Sequence, residues 1–286
     1  MEEEIAEEKK REIKQWSSFV LDDAFESMKR MKEKLLQLKQ DIEDDPDDNQ
    51  EKIRLYNFMA YLHWRLDEKP KAIDAIKLAE NLENEHPNLI THCNKIIFSI
   101  ESEDCFQSNK LAADYENETF QQSRVRSRAV AEIAYFHSRL GPKHHEKAVQ
   151  GFRRAIKDIN PERNIAWEYG LALTLRRQSN LMQMLKSQKY KPSECQKEAA
   201  RLLYGVVKFS TDGYHKTKAR AWCELTKIMF YFKCKNLCDI IKTHTEEGEK
   251  INSTQCFREA LKLLSLIHIS EPTRPLYISY AVFCLK

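Results

Sequence analysis

Ala60-Tyr61-Leu62-His63-Trp64-Arg65-Leu66 returns as Ala134-Tyr135-Phe136-His137-Ser138-Arg139-Leu140, with Ala, Tyr, His, Arg and Leu held in place. The copies stand 74 residues apart, close to twice the ~34-residue period of a helix–turn–helix repeat. A small–large–small signature at helical spacing follows each copy: Ala72, Ile76 and Ala79, then Ala148, Phe152 and Ala155. In both copies Tyr and Arg are four residues apart and therefore share a helix face. The repetition predicts an all-α fold, a right-handed superhelical solenoid of helix pairs in which each repeat buries only the seam with its neighbours.

Composition agrees with that fold. Only 6 of the 286 residues are glycine, which excludes glycine-rich phosphate loops and disfavours a sheet-rich fold. A mean hydropathy of −0.65 suits a solenoid better than a single-core domain. No apolar run approaches the ~20 residues that cross a bilayer, and the start Met1-Glu2-Glu3-Glu4 lacks the basic charge of a signal peptide. A soluble, cytoplasmic protein with no membrane partner is the expectation. The 8 cysteines show no paired CxxC spacing and read as free thiols in helix seams. Cys234, Cys238 and His244 could stand on successive helical turns, but no second ligand pair has finger-like spacing, so no metal or other cofactor is expected.

Charge is unevenly placed. Residues 1–120 carry 17 Lys/Arg and 29 Asp/Glu, whereas residues 121–240 carry 24 and 10. The basic middle block would steer an anionic partner, nucleic acid first among them. The same charge also reads as a solubilising helix surface.

Along the chain, residues 5–42 read as one long helix and residues 1–48 as an N-terminal helical segment, broken at Asp44-Asp45-Pro46-Asp47-Asp48. Residues 49–264 form the solenoid, with helix pairs at about 51–66 and 69–84, a degenerate pair within 88–118, and a pair at 121–139 and 144–159. A helix over 163–178 opens with Trp167 and Gly170-Leu171, small and large residues that let helices pack closely. A polar insertion at 179–192 follows, then helices at 193–209 and 215–233, and a last one from Ser253. From Ser265 the chain turns β-branched and proline-containing, with little helix propensity. Leu266-Ile267-His268-Ile269-Ser270-Glu271-Pro272-Thr273-Arg274-Pro275 resembles a translated sequencing-adapter tail. Residues 265–286 are therefore expected to be a spurious, non-native tail on a solenoid cut near Leu264.

Tyr56, Ala60, Ala72, Ile76 and Ala79 fit the spacing of a tetratricopeptide repeat. With Leu55-Tyr56-Asn57-Phe58-Met59-Ala60-Tyr61 and Ala79-Glu80-Asn81-Leu82, the region resembles the first clear repeat of the interferon-induced proteins with tetratricopeptide repeats, the IFIT family. His145-Glu146-Lys147-Ala148 through Asn160-Pro161-Glu162 resembles a later segment of that family. The likeness spans roughly residues 25–235, about half of a full-length member, and is patchy between 88 and 125.

The resemblance implies a non-catalytic cytosolic antiviral protein of innate immunity. Such proteins hold the 5′ end of foreign single-stranded RNA, triphosphate or incompletely methylated cap, in a basic tunnel; other repeat proteins of the same family are further implied partners. By position, Arg139 falls where the family has a phosphate-contacting lysine, and Arg176 on its phosphate-binding arginine. Tyr135 takes the place of a cap-stacking aromatic, and Gln40 matches a glutamine near the RNA end once an insertion is allowed.

The residues support part of this directly. Arg139 and Arg176 lie 37 residues apart, so each ends the first helix of successive repeats. There they can make bidentate, charge-assisted bonds to phosphate, with an aromatic one turn earlier to stack on a base. Arg65 holds the same repeat position, although the family is not basic there, and reads either as part of a wider basic groove, an additional RNA contact beside Tyr135 and Gln40, or as a surface cation. Each arginine also reads as a salt-bridged helix-end residue, and Tyr61 and Tyr135 as seam aromatics. No His-Glu-x-x-His, P-loop or nucleophile elbow occurs, so no enzyme is expected. The rival reading is a tetratricopeptide adaptor holding a peptide or protein segment, whose groove needs asparagines among its cations.

Overall fold

The computed structural model describes residues 2–25, 27–44, 49–83, 87–102, 105–116, 118–186, 192–209, 214–241 and 251–270. All regular structure among them is helical, as expected. In chain order the elements are α1 (Glu2–Gln15), a 3-10 segment (Ser18–Ala24), α2 (Met28–Asp44), α3 (Asn49–Arg65), α4 (Lys69–Asn81), α5 (Leu89–Glu101), α6 (Cys105–Tyr115) and α7 (Glu118–Gln121). They continue with α8 (Ser123–Arg139), a 3-10 turn (Pro142–His144), α9 (His145–Asp158), α10 (Ile165–Lys186), α11 (Glu194–Lys208), α12 (His215–Tyr231), α13 (Cys238–Ile241) and α14 (Ser253–Ser270). Helices consecutive in the chain pack together: α3 on α4, α5 on α6, α10 on α11 and α11 on α12, with α14 also on α12. None is long and apolar enough to cross a membrane.

The chain forms two compact units. The first is Met1–Gly141 with Lys157–Asn160; the second is Pro142–Ile156 with Pro161–Lys286. The core of the first unit is aromatic. Phe19 meets Tyr61 edge-on at 5.3 Å and Phe98 at 5.8 Å, Phe58 lies 5.0 Å from Phe136, and Trp64 stacks on Phe98 at 4.1 Å. In the second unit, α9 and α10 meet where Phe152, almost wholly buried, faces Gly170.

Three element boundaries differ from the sequence expectation. The long helix over 5–42 is interrupted by the 3-10 segment, which buries Ser18, Phe19 and Leu21. The Ser17 hydroxyl accepts from the Phe19 amide at 3.2 Å, and Asn94 Oδ1 accepts from the Ser18 amide at 2.8 Å. Burying Phe19 among rings of α3 and α5 outweighs helix continuation. Second, α10 runs on to Lys186, so residues 179–186 of the expected insertion are helical; Leu181, Met182, Gln183, Met184, Leu185 and Lys186 are good helix formers without glycine or proline. Third, α14 continues through Ser270, so residues 265–270 extend the helix rather than ending it. An established helix adds residues cheaply, even ones of low propensity. Residues 271–286, Tyr190-Lys191, Thr211-Asp212-Gly213, His86 and His244 lie outside the described residues.

The repeat is visible in the backbone. Among the described residues positive φ occurs at Asp67 (59°), Gly141 (104°) and Lys233 (51°). Asp67 and Gly141 are equivalent, each directly following a copy of the seven-residue phrase and two residues past the arginine that ends α3 or α8. Lys233 stands likewise two residues beyond the end of α12. After α3, Glu68 N bonds to His63 O at 2.9 Å and Asp67 N to Trp64 O at 3.1 Å. After α12, Cys234 N bonds to Met229 O at 3.0 Å and Lys233 N to Phe230 O at 3.2 Å. Both are left-handed C-caps that use the otherwise orphaned last carbonyls.

Candidate nucleic-acid interface

The two copies of the repeated tyrosine–arginine pair have different surroundings. In the first, Tyr61 is fully buried against Phe19 and Phe25. Arg65 directs Nε and Nη2 to the two oxygens of Asp22, both at 2.8 Å, and sits 4.4 Å from the centroid of the Phe19 ring. Its Nη1 lies 3.5 Å from Glu101. The fork is filled in the bidentate manner that holds arginine most firmly. His63 is buried with Nδ1 2.6 Å from Glu68.

In the second copy Tyr135 is half-buried and donates its hydroxyl to Glu51 Oε1 of α3 at 2.6 Å. Two guanidinium groups flank its ring: Arg54 at 4.8 Å and Arg139 at 6.0 Å from the centroid. Arg139 pairs through Nη2 with Asp41 of α2, and Lys34 Nζ donates to the Arg139 carbonyl at 2.7 Å. Burial, with the Glu51 charge behind it, pushes the Tyr135 phenol upward and keeps it protonated. Gln40 is exposed in the last turn of α2, one residue before Asp41. Thus Tyr135, Arg139 and the Gln40 turn come together, and Arg65 belongs to a separate, saturated ion pair.

Arg176 lies in the second unit, on α10. Its Nη2 is 2.7 Å from Glu224 Oε2 of α12, and Lys227 Nζ, one turn further along α12, is 2.9 Å from Oε1. Arg176 Nε is buried and has no hydrogen-bond partner. Tyr169, two turns before Arg176, feels the charges of Glu224, Arg220, Arg176 and Arg177. Burial first and the Glu224 charge next raise its phenol. Each unit therefore holds a half-buried tyrosine among several arginines and at least one carboxylate.

The sequence reading passed over the partners: Lys34, Asp41, Glu51 and Arg54 in one unit, and Tyr169, Arg220, Glu224 and Lys227 in the other. A second internal repetition could have exposed Glu224. Arg124-Val125-Arg126-Ser127-Arg128-Ala129-Val130-Ala131-Glu132 reappears 92 residues later as Lys216-Thr217-Lys218-Ala219-Arg220-Ala221-Trp222-Cys223-Glu224. Both glutamates are buried, at 2% and 8% exposure. Arg176 and Lys227 hold Glu224. Glu132 instead accepts amide bonds from Asn57 at 2.7 Å and Asn88 at 2.8 Å, and burial outweighs those bonds to raise its carboxyl.

Among the described residues no group of three or more His, Cys, Asp and Glu could hold a metal ion. Cys234 instead points its thiol at the Phe232 carbonyl, 3.7 Å away. Compared with family models and with curated proteins, the chain matches none.

Proposed function

We propose that this chain is an IFIT-like right-handed superhelical solenoid of tetratricopeptide-like helix pairs that binds single-stranded RNA by its 5′-phosphorylated end. It acts without catalysis, in cytoplasmic innate antiviral defence, with other repeat proteins of its kind as further partners. The observation that carries this reading is Arg176: a guanidinium whose buried Nε has no hydrogen-bond partner, close to Tyr169, Arg177 and Arg220. A phosphate offers the two oxygens such a fork takes. The group of Arg54, Arg139 and Tyr135 supplies a second pairing of cations with an aromatic, the combination that serves phosphate contact and base stacking. Arg65 is not part of this proposed surface, because Asp22 occupies its fork.

The adaptor reading asks for asparagines among the cations, to hold a peptide backbone. Asn57, one turn after Arg54, and Asn88 are both buried and bonded to Glu132. The discriminating experiment is binding of short RNAs with 5′-triphosphate and 5′-hydroxyl ends to the wild type and to an Arg139→Ala/Arg176→Ala double variant. Preference for triphosphate that disappears in the variant is the expected result. Equal binding of both ends, unchanged by the substitutions, rejects the 5′-end site and leaves the adaptor reading in its place.

A further inference from the structure

We infer that Glu224 is a built-in occupant of the Arg176 site, so that a 5′ phosphate binds there by displacing a carboxylate of the protein itself. The inference rests on the proposed phosphate role of Arg176 and adds how access to that site is regulated.

Three features of the pair support exchange. The contact is one-sided: a single Glu224 oxygen meets Arg176 Nη2 at 2.7 Å, and Nε is left buried without a partner. Two other arginine–carboxylate pairs in the molecule are bidentate. Arg65 uses Nε and Nη2 on both oxygens of Asp22, and Arg163 uses the same two nitrogens on both oxygens of Glu168. A phosphate that engages Nε and Nη2 together makes two hydrogen bonds to Arg176, whereas the Glu224 oxygen in contact with Nη2 makes an ion pair without a hydrogen bond.

The displaced carboxylate also keeps a partner. Lys227 Nζ holds the other Glu224 oxygen at 2.9 Å from within α12 itself, so leaving Arg176 does not strand a buried charge. Finally, Glu224 is only 8% exposed, which makes its charge more effective there than a surface carboxylate would be. Unliganded, it offsets the repulsion among Arg176, Arg220 and Lys227; liganded, the phosphate takes over that role. Affinity at this site is then the difference between two anions competing for one guanidinium.

A double-mutant cycle tests this, with inorganic tripolyphosphate and 5′-triphosphate RNA as probes. Glu224→Gln keeps the side-chain shape and removes the competing charge, and is expected to tighten tripolyphosphate binding about tenfold, the scale of one charge-assisted hydrogen bond. In an Arg176→Ala background the same substitution should give no gain. An equal gain in both backgrounds means that Glu224 repels phosphate through space, and overturns the exchange; so does the absence of any gain in a folded Glu224→Gln protein.

If that variant fails to fold, side-chain NMR of the wild type decides. On saturation with tripolyphosphate the Arg176 Nε–H resonance should shift and gain protection from exchange, and an unmoved resonance overturns the proposal. The two readings fail separately. Wild type that ignores the RNA 5′ end but shows the tripolyphosphate cycle loses the RNA reading and keeps the exchange. Wild type that prefers triphosphate RNA without coupling between positions 176 and 224 does the reverse.

Discussion

Arg65 and Arg139 end helices with the same local sequence, and Arg65 is locked through two nitrogens by Asp22 while Arg139 meets Asp41 through one and lies with Arg54 beside the Tyr135 ring. At this scale a basic side chain matters less than the number of its donors already taken, because a phosphate gains only the bonds still available. The same accounting applies to Glu132, a carboxylate 2% exposed and held by two amides rather than a cation. Its folded-state pKa is raised, chiefly by burial. The stability it contributes is therefore complete below the unfolded value of about 4.3 and is lost as pH rises through the folded value. Glu132→Gln should leave thermal stability unchanged near pH 4 and raise it increasingly above that, by about 1–3 kcal/mol at pH 8. Melting curves across that range check it, and a variant less stable than wild type at pH 8 contradicts the assignment.

Helix ends carry the repeat more faithfully than helix faces do. Asp67, Gly141 and Lys233 take the left-handed conformation after α3, α8 and α12, but only one of the three is the residue that adopts it without cost. Asp67→Gly should accordingly stabilise the fold by about 0.5 kcal/mol, the left-handed strain removed slightly exceeding the entropy added to the unfolded chain. A denaturant titration with unchanged slope would register it. Close approach of α9 and α10 makes the opposite demand. A Cβ on Gly170 would stand 2.7 Å from Phe152 Cζ, and Phe152 is 1% exposed, leaving its ring nowhere to move. Gly170→Ala is expected to cost about 1–3 kcal/mol despite the better helix propensity of alanine, read as a lowered Tm. These constraints were partly legible: Gly170-Leu171 announces a close contact in the sequence, whereas the 3-10 segment at Ser18–Ala24 does not, because Asn94 and the rings of Tyr61 and Phe98 that hold it come from elsewhere in the chain.

For the molecule as a whole, the charge division along the chain becomes a set of pairings. The acidic first part supplies Asp41 and Asp22 to arginines of its own unit, and the basic second part keeps Glu224 for Arg176. If RNA binds through these cations, its affinity should fall with added salt, and Arg176→Ala should reduce the log–log slope by about 0.7, one phosphate contact on a single strand. An unchanged slope would place the phosphates elsewhere. The sequence by itself determined the helical class, most helix limits and the equivalence of positions 60–66 and 134–140, since periodicity, turn residues and small–large spacing act over one or two helical turns. Tertiary structure alone decided which repeated residues are core and which are surface: Tyr61 is enclosed and Tyr135 is not, Arg65 is saturated and Arg176 keeps a buried donor open. The physical reason is that a side chain's remaining capacity to bind depends on partners brought from distant segments, and those partners are set by packing rather than by neighbours in the chain.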